Sequence, residues 1–420
     1  MKQISIYIHW PFCLSLCPYC DFNSHIADSI DYDAWLCAYI KEITHFNKRI
    51  FGRRVRSIFF GGGTPSLMDP KLVDGIINYI ASIATIDAET EITLEANPTS
   101  YEAKKFECFR ASGINRVSIG LQSLNDSSLK ILGRKHSSKE AIQAVNSAAK
   151  IFKHYSFDLI YAIPEQTLSS WQEELKLALE IAGEHISLYQ LTIEKGTPFF
   201  KLYHNKELIL PSNDDSADMY EWTKDYLGQN NYHHYEISNY SQPNKECIHN
   251  LCYWYYDEYI GIGPGAHSRL HNDSNCIESV MMTHKPDKWL MMVDNYGHGI
   301  QTQQLLTKEE IVKEAFMMGT RLSCGINEQH FYKITDFKFA QILNFDIVNQ
   351  YQNLGLLEFE DSNNISETIF NKERGARAYN NRSMIDNIEF KNMTWHNIKL
   401  TSKGLLLHNY IIPRLLNANN

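Results

Sequence analysis

Cys13, Cys17 and Cys20 stand together in the stretch YIHWPFCLSLCPYCDF, residues 7–22. Thiolates bind soft and borderline metals, so a C-x3-C-x2-C spacing reads as a ligand set, with buried structural cysteines the weaker alternative. Two metal chemistries use such a set. A zinc site would need a fourth ligand, for which His9 and His25 are the nearby imidazoles. A [4Fe-4S] cluster normally takes four cysteines, and three would leave one iron free for a small ligand. In that case the missing fourth ligand is the functional feature. A second candidate group lies in CIHNLCYWYYDEYIGIGPGAHS, residues 247–268. His249 offers an imidazole for heme iron, and Tyr253 and Trp254 offer flat apolar faces to a macrocycle. A satisfied core histidine among packing aromatics is the competing reading there, and Cys247 or Cys252 are alternative iron ligands.

The elements that must position these residues are legible as an alternation. Runs rich in β-branched and aromatic residues stand at 4–10, 56–60, 91–96, 116–121, 157–162 and 185–193. Each is followed by helix-patterned sequence such as YDAWLCAYIKEITHF or SKEAIQAVNSAAKIF, which predicts repeated βα units around a parallel sheet. GGGTPS, NPTS, QSLN and PEQT sit just after strands. Ligands of parallel α/β folds gather at the carboxyl ends of the strands, where these motifs fall. Gly61, Gly62 and Gly63 would let backbone approach a ligand closely, although a glycine triplet is as often a tight turn. Glu95 ends an apolar strand, where a carboxylate can accept from a ribose or an ammonium. Beyond residue 305 the pattern turns helical, in TKEEIVKEAFMMGTRL and FKFAQILNFDIVNQYQNLGLLEF, and closes as a small α+β module.

Composition sets limits on partners. The chain has 420 residues, 44% of them hydrophobic, and a formal net charge of -9. It lacks the basic excess of a chain that grips a phosphate backbone, so nucleic acid is not an expected partner. No apolar run is long enough for a transmembrane segment, and strand-like sequence near Met1 leaves no room for a signal peptide. Nine cysteines, an odd count with one close triplet, fit metal or redox use better than a secreted disulfide framework. Cys37, Cys108, Cys276 and Cys324 read as packing residues, and the pair His233–His234 as a solvated loop.

The cysteine spacing, with Tyr19 before the last cysteine, resembles the cluster loop of radical SAM proteins, in which S-adenosylmethionine chelates the unique iron. The likeness continues through GGGTPS (61–66), LEANP (94–98), RVSIGLQS (116–123), LGRKH (132–136), DLIYAIPEQT (158–167) and LTIEKGTPF (191–199). This ordered set spans most of residues 4–270. It is similar to the branch that contains oxygen-independent coproporphyrinogen III oxidase and, within it, the heme chaperones. The resemblance implies that Cys13, Cys17 and Cys20 bind the cluster. It also implies an S-adenosylmethionine pocket made by Tyr7, Tyr19, Gly62, Gly63, Thr64, Glu95, Gln122, Arg134 and Asp158, with the planar fork of Arg134 suited to carboxylate. His249-Asn250-x2-Tyr253-Trp254 matches the H-N-x-x-Y-W motif of the chaperones and implies that these four residues contact heme.

Two departures from the oxidase separate the branches. Phe22 stands where the oxidase has a further cysteine, and the cluster loop begins by residue 7, without the oxidase's N-terminal extension. The expected fold is therefore an α/β, partial (β/α)6 radical SAM barrel over residues 1–300. A C-terminal helical, winged-helix-like domain comes next at 301–420, with a polar insertion near 361–394. The expected function is a heme chaperone that binds heme and transfers it to acceptor hemoproteins, with the cluster and S-adenosylmethionine structural, regulatory or turned over. The alternative is an enzyme of porphyrin biosynthesis: cleavage of S-adenosylmethionine to a 5′-deoxyadenosyl radical that decarboxylates coproporphyrinogen III. Implied partners are heme, acceptor hemoproteins that could be membrane-bound, and an electron donor. The expected location is cytoplasmic, with peripheral membrane association left open.

Overall fold

The computed structural model describes residues 2–271, 276–361 and 396–417. It divides into two compact units: Met1–Thr223 with Glu258–Leu270 and Glu278–Gln304, and Lys224–Asp257 with His271–Ile277 and Leu305–Asn420. Residues 362–394 of the expected polar insertion lie outside the described residues.

Six strands carry the first unit: β1 (Gln3–Trp10), β2 (Arg54–Gly62), β3 (Glu91–Ala96), β4 (Arg116–Gln122), β5 (His154–Tyr161) and β6 (His185–Gln190). They pair in parallel and in sequence order. That neighbour-by-neighbour winding belongs to a β/α barrel; a doubly wound sheet reverses at a switch point. Burial on both faces explains why the strands read as near-continuous apolar runs. Ile4, Ile6 and Ile8 of β1 are buried, as are Val117, Ile119 and Leu121 of β4.

The intervening helices start where the chain supplies caps. Asp31 accepts from the Ala34 amide ahead of Tyr32–His45, and Asp69 caps Pro70–Ile83 with Pro70 in the first turn. Ser137 with Glu140, and Thr167 with Ser170, form reciprocal capping boxes before Ser138–Ile151 and Leu168–Ile181. Each satisfies amides that the first turn leaves without intrahelical partners.

The second unit includes the antiparallel hairpin β7 (His233–Glu236) and β8 (Asn239–Ser241). His233 and His234 are therefore strand residues and not a loop: burial deepens along HHYE, so His233 stays exposed while His234 lies beside Tyr240, ring centroids 6.1 Å apart. In the first unit β1 pairs on its other side with β9 (Tyr259–Ile262), also parallel, and β10 (His267–His271), β11 (Ile277–Met282) and β12 (Ile300–Leu305) extend the sheet in that order. The outer side of β1 is thus taken by β9, and the barrel does not close there. These added strands were not expected from sequence. They are short, interrupted by the glycines of GIGPG, and β12 presents mostly exposed residues, which removes the apolar signal on which strand reading depends.

The rest of the second unit is helices on a three-stranded antiparallel sheet of β13 (Ile326–Asn327), β14 (Leu357–Asp361) and β15 (His396–Leu400), ordered β13-β15-β14. Phe316, Phe331, Phe339, Val348, Ile398, Leu400 and Ile411 form its core, as a winged-helix-like module requires. Cys37 and Cys108 are exposed, and Cys276 and Cys324 partly so. Cys324 packs against the cluster of Tyr235, Leu251, Tyr255 and Leu322, as expected of a packing residue, whereas the exposed Cys37 and Cys108 do not fit that expectation.

Candidate functional site

The loop after β1 carries the three cysteines over the carboxyl ends of β2–β5. Backbone holds its first leg: the Cys13 amide donates to His25 O at 2.9 Å, His25 N to Pro11 O at 2.7 Å, and Thr64 N to Phe12 O at 2.9 Å. Gly63 is required here, because a Cβ would lie 2.8 Å from Phe12 O, and Gly62 has φ +112° with His9 in the space a side chain would take.

Cys13, Cys17 and Cys20 line one cavity of about 200 Å³ together with Tyr19, Gly62, Gly63, Thr64, Glu95, Gln122, Arg134 and Asp158. All but one of the residues expected around the cluster and S-adenosylmethionine meet there. The exception is Tyr7, which sits deeper on β1 with its hydroxyl 3.0 Å from His9 Nδ1. His9 and His25 are not among the lining residues, and the Nε2 atoms of both are bonded to Asn23. Among the described residues no three His, Cys, Asp or Glu side chains are grouped as a single ion needs.

Polar groups knit the cavity wall. The Thr64 hydroxyl donates to Cys13 Sγ at 3.2 Å, and Asn97 Nδ2 donates to Thr64 Oγ1 at 3.2 Å. Arg134 closes the chain, donating to Asn97 Oδ1 at 2.7 Å, Gly120 O at 2.9 Å and Cys17 Sγ at 3.4 Å. Two thiols are thus tied through three side chains, Thr64 and Asn97 from the ends of β2 and β3 and Arg134 from beyond the helix Asp126–Ile131. Asn97 was not singled out from sequence. Its only signal was its place in LEANP, ahead of a proline.

Electrostatics inside the cavity reflect its enclosure. Burial raises the Cys13 thiol to about 11 and raises Cys20 as well; both must shed a proton to bind metal. Burial, and then the charge of Asp158, push Glu95 to about 8, against which the Gly62 amide donates at 3.1 Å. Asp158 is raised to about 6 by burial. Burial likewise drives Tyr19 upward. Water excluded from the barrel mouth leaves two carboxyls ready to ionise against a cation that enters. Gln122 reaches the cavity from a bulge: the β4–β5 register slips between Gly120 and Gln122, and Gln122 takes φ 68°. A non-glycine residue held there is strained, and the bulge re-aims it.

The second candidate group lies on the helix Ile248–Trp254. His249 is only 1% exposed, and its Nε2 is 2.9 Å from the Tyr253 hydroxyl, one turn along the same face. Asn250 Nδ2 donates to the Tyr235 hydroxyl at 3.4 Å. The guanidinium of Arg321 lies 4.6 Å over the Trp254 ring while donating to Glu236 at 3.0 Å. Cys247 and Cys252 are fully buried. Arg321 and Glu236 had no signal in sequence, being far from the motif.

Residues 7–178 match the radical SAM superfamily, and residues 306–363 match the HemN C-terminal domain. Over 377 residues the chain is 36% identical to the heme chaperone HemW of Haemophilus influenzae, covering 87% of this chain and 95% of that protein. It is 35% identical to Escherichia coli HemW across 77% and 83% of the two chains. Zebrafish (Danio rerio) radical S-adenosyl methionine domain-containing protein 1, mitochondrial, is 38% identical, covering 78% and 75%. The structure of coproporphyrinogen III oxidase HemN from Escherichia coli superposes with a TM-score of 0.75 over 98% of this chain and 89% of that one, at 21% identity. Fold and cavity define a radical SAM protein, a class that implies a [4Fe-4S] cluster and S-adenosylmethionine. Within that class the chain belongs to the HemW family.

Proposed function

We propose that this protein is a heme chaperone: it binds heme and passes it to hemoprotein acceptors, working in the cytoplasm with access to acceptors at a membrane surface. The observation that carries this reading is similarity along nearly the whole length of proteins named heme chaperones, joined to the HNLCYW helix. The match to HemN carries the fold; at 21% identity it carries no activity with it.

In this reading Cys13, Cys17 and Cys20 hold the cluster. The donor set fits, since three thiols spread around one cavity suit a polynuclear cluster better than a lone ion, and Thr64 and Arg134 already donate to two of the sulfurs. When bound, the cluster supplies one-electron chemistry toward S-adenosylmethionine. The chain's own contribution is positional. Gly62 and Gly63 admit the backbone to close contact, Arg134 presents a guanidinium to a carboxylate, and Glu95 and Asp158 accept from ammonium or ribose hydroxyls. Tyr19 and Gln122 complete that pocket, with Tyr7 behind it on β1, its hydroxyl on His9.

His249 is the proposed axial ligand of heme, with Tyr253 and Trp254 as packing surface and Asn250 as a fixed neighbour. Ligation requires the Tyr253 hydroxyl to release Nε2. Heme titration of cluster-loaded protein tests the function: a saturable, stoichiometric Soret change is expected, and its absence overturns the reading. Anaerobic product analysis with coproporphyrinogen III and an electron donor separates the decarboxylating alternative, for which no turnover is expected.

A further inference from the structure

Asn23 lies just past the last cysteine of the loop, and every polar atom of its side chain is engaged. Nδ2 donates to the carbonyls of Pro264 and His284, each at 2.9 Å. Two carbonyl acceptors decide which way the amide faces, so Oδ1 is the atom that accepts from His25 Nε2 at 3.0 Å. The Asn23 backbone carbonyl takes a further bond from His9 Nε2 at 2.9 Å. Nε2 of His9 therefore carries the proton, and Nδ1 accepts from the Tyr7 hydroxyl. One asparagine thus ties the loop to β1, to the Gly-Pro-Gly turn at 263–265 and to the segment ahead of the helix Pro286–Tyr296.

The three cysteines differ in what holds them. Cys13 has Thr64 on its sulfur and Cys17 has Arg134. Cys20 has a backbone bond to Cys17 O at 3.2 Å, and the groups at its sulfur are the Phe22 amide and the Ser24 hydroxyl, the residues on either side of Asn23. Cys20 is placed by the 20–25 segment, and that segment is placed by Asn23. Gly265 fits the same account: it has φ +75°, and a Cβ there would stand 2.5 Å from Asn23 Nδ2.

We propose that Asn23 is a positioning residue that fixes Cys20 for cluster binding, with Gly265 keeping the space its amide needs; this rests on the reading that Cys13, Cys17 and Cys20 hold the cluster. The chemistry is specific to an amide. Asp in its place has the same shape but turns a carboxylate toward two carbonyls, where nothing can donate.

The test uses the full chain, anaerobically reconstituted, as parent, Asn23→Asp, Gly265→Ala and Cys20→Ser. Measured are iron per chain, the rate of iron loss to a chelator, the EPR spectrum of the reduced cluster and the melting temperature of cluster-free protein. Asn23→Asp and Gly265→Ala are expected to lose iron about tenfold faster, the scale of lost support around a metal ligand, with altered EPR g values. Gly265→Ala leaves Asn23 itself in the chain, so it reads the same contact should Asn23→Asp fail to fold. Parental iron-loss rates and EPR in the folded variants, with Cys20→Ser devoid of cluster, overturn the role of Asn23 and leave the ligand assignment standing. Full iron in Cys20→Ser overturns the ligand assignment and the role of Asn23 with it.

Discussion

The cysteine cavity and the His249 helix differ in where their polar groups point. Around the cavity, Thr64, Asn97 and Arg134 spend their hydrogen bonds on sulfur, on backbone and on each other, while Glu95 and Asp158 line the same space, Glu95 accepting from the Gly62 amide and Asp158 from the Ser118 hydroxyl. On the helix, His249 is bonded to Tyr253, Asn250 to Tyr235, and Trp254 is covered by Arg321. The first arrangement is built ahead of its ligand, which suits a resident cofactor whose binding should cost little reorganisation. The second has its imidazole and amide bonded internally, while the buried Trp254 Nε1 has no hydrogen-bond partner among the described residues. Under the chaperone reading, a cargo that must leave again is held by groups with a partner to return to.

The strongest way to break the comparison is at the cysteines. Single serine substitutions at Cys13, Cys17 or Cys20 are expected to bring iron and sulfide close to zero and to abolish the broad charge-transfer absorption. Unchanged iron content in any one of them would falsify the cavity assignment for that residue.

Arg134→Ala should come next, with S-adenosylmethionine binding and cluster retention each reduced roughly 10–100-fold, since one side chain supports both Cys17 and Asn97. Arg134→Lys should recover little, because an ammonium cannot reproduce the planar fork. Equilibrium binding of S-adenosylmethionine to reconstituted protein, with iron content on the same samples, measures both.

On the helix side the informative pair is His249→Ala and Tyr253→Phe. His249→Ala should remove the axial bond and shift the Soret band. Tyr253→Phe releases Nε2 from its internal partner and should tighten heme a few-fold, as expected from losing a hydrogen bond of about 1 kcal/mol that competes with ligation. If both variants leave the heme spectrum and affinity at parental values while lowering the melting temperature, the helix is a packing element and the contrast between the regions disappears.

The smallest effect concerns pH. Glu95 titrates at about 8 against an ordinary 4.5, and Asp158 at about 6 against 3.8. A carboxyl whose pKa rises on folding contributes stability that is full below the unfolded value and is lost as pH climbs through the folded one. Ligand-free protein should therefore lose melting temperature between about pH 4 and pH 8, by roughly 2–4 °C for each kcal/mol. Glu95→Gln should flatten the upper part of that slope; an unaltered profile would remove Glu95 from the account.

Much of the barrel could be read directly. All six strand runs appear as strands, with β6 ending at Gln190, short of the expected 193. The helix-patterned stretches YDAWLCAYIKEITHF and SKEAIQAVNSAAKIF appear as the helices Tyr32–His45 and Ser138–Ile151. Strand periodicity, caps and C-x3-C-x2-C are written within short windows of chain, where steric and hydrogen-bonding preferences act on neighbours. Three thiols in one loop are close in space whatever the rest of the chain does.

What depended on the tertiary structure joins residues far apart. Arg134 meets Cys17 across 117 positions, and Asn23 meets Pro264 and His284 across 241 and 261. No local pattern marks such pairs, because folding topology, not spacing, brings them together. The bulge that turns Gln122 into the cavity exists only where β4 meets β5. The raised pKa of Glu95 belongs to no motif, since desolvation is a property of the enclosure and an isolated strand end would leave the same carboxyl in water. His249 shows the limit most directly: the sequence alone specified an imidazole beside two aromatic rings, and the fold decided that this imidazole is buried and already bonded.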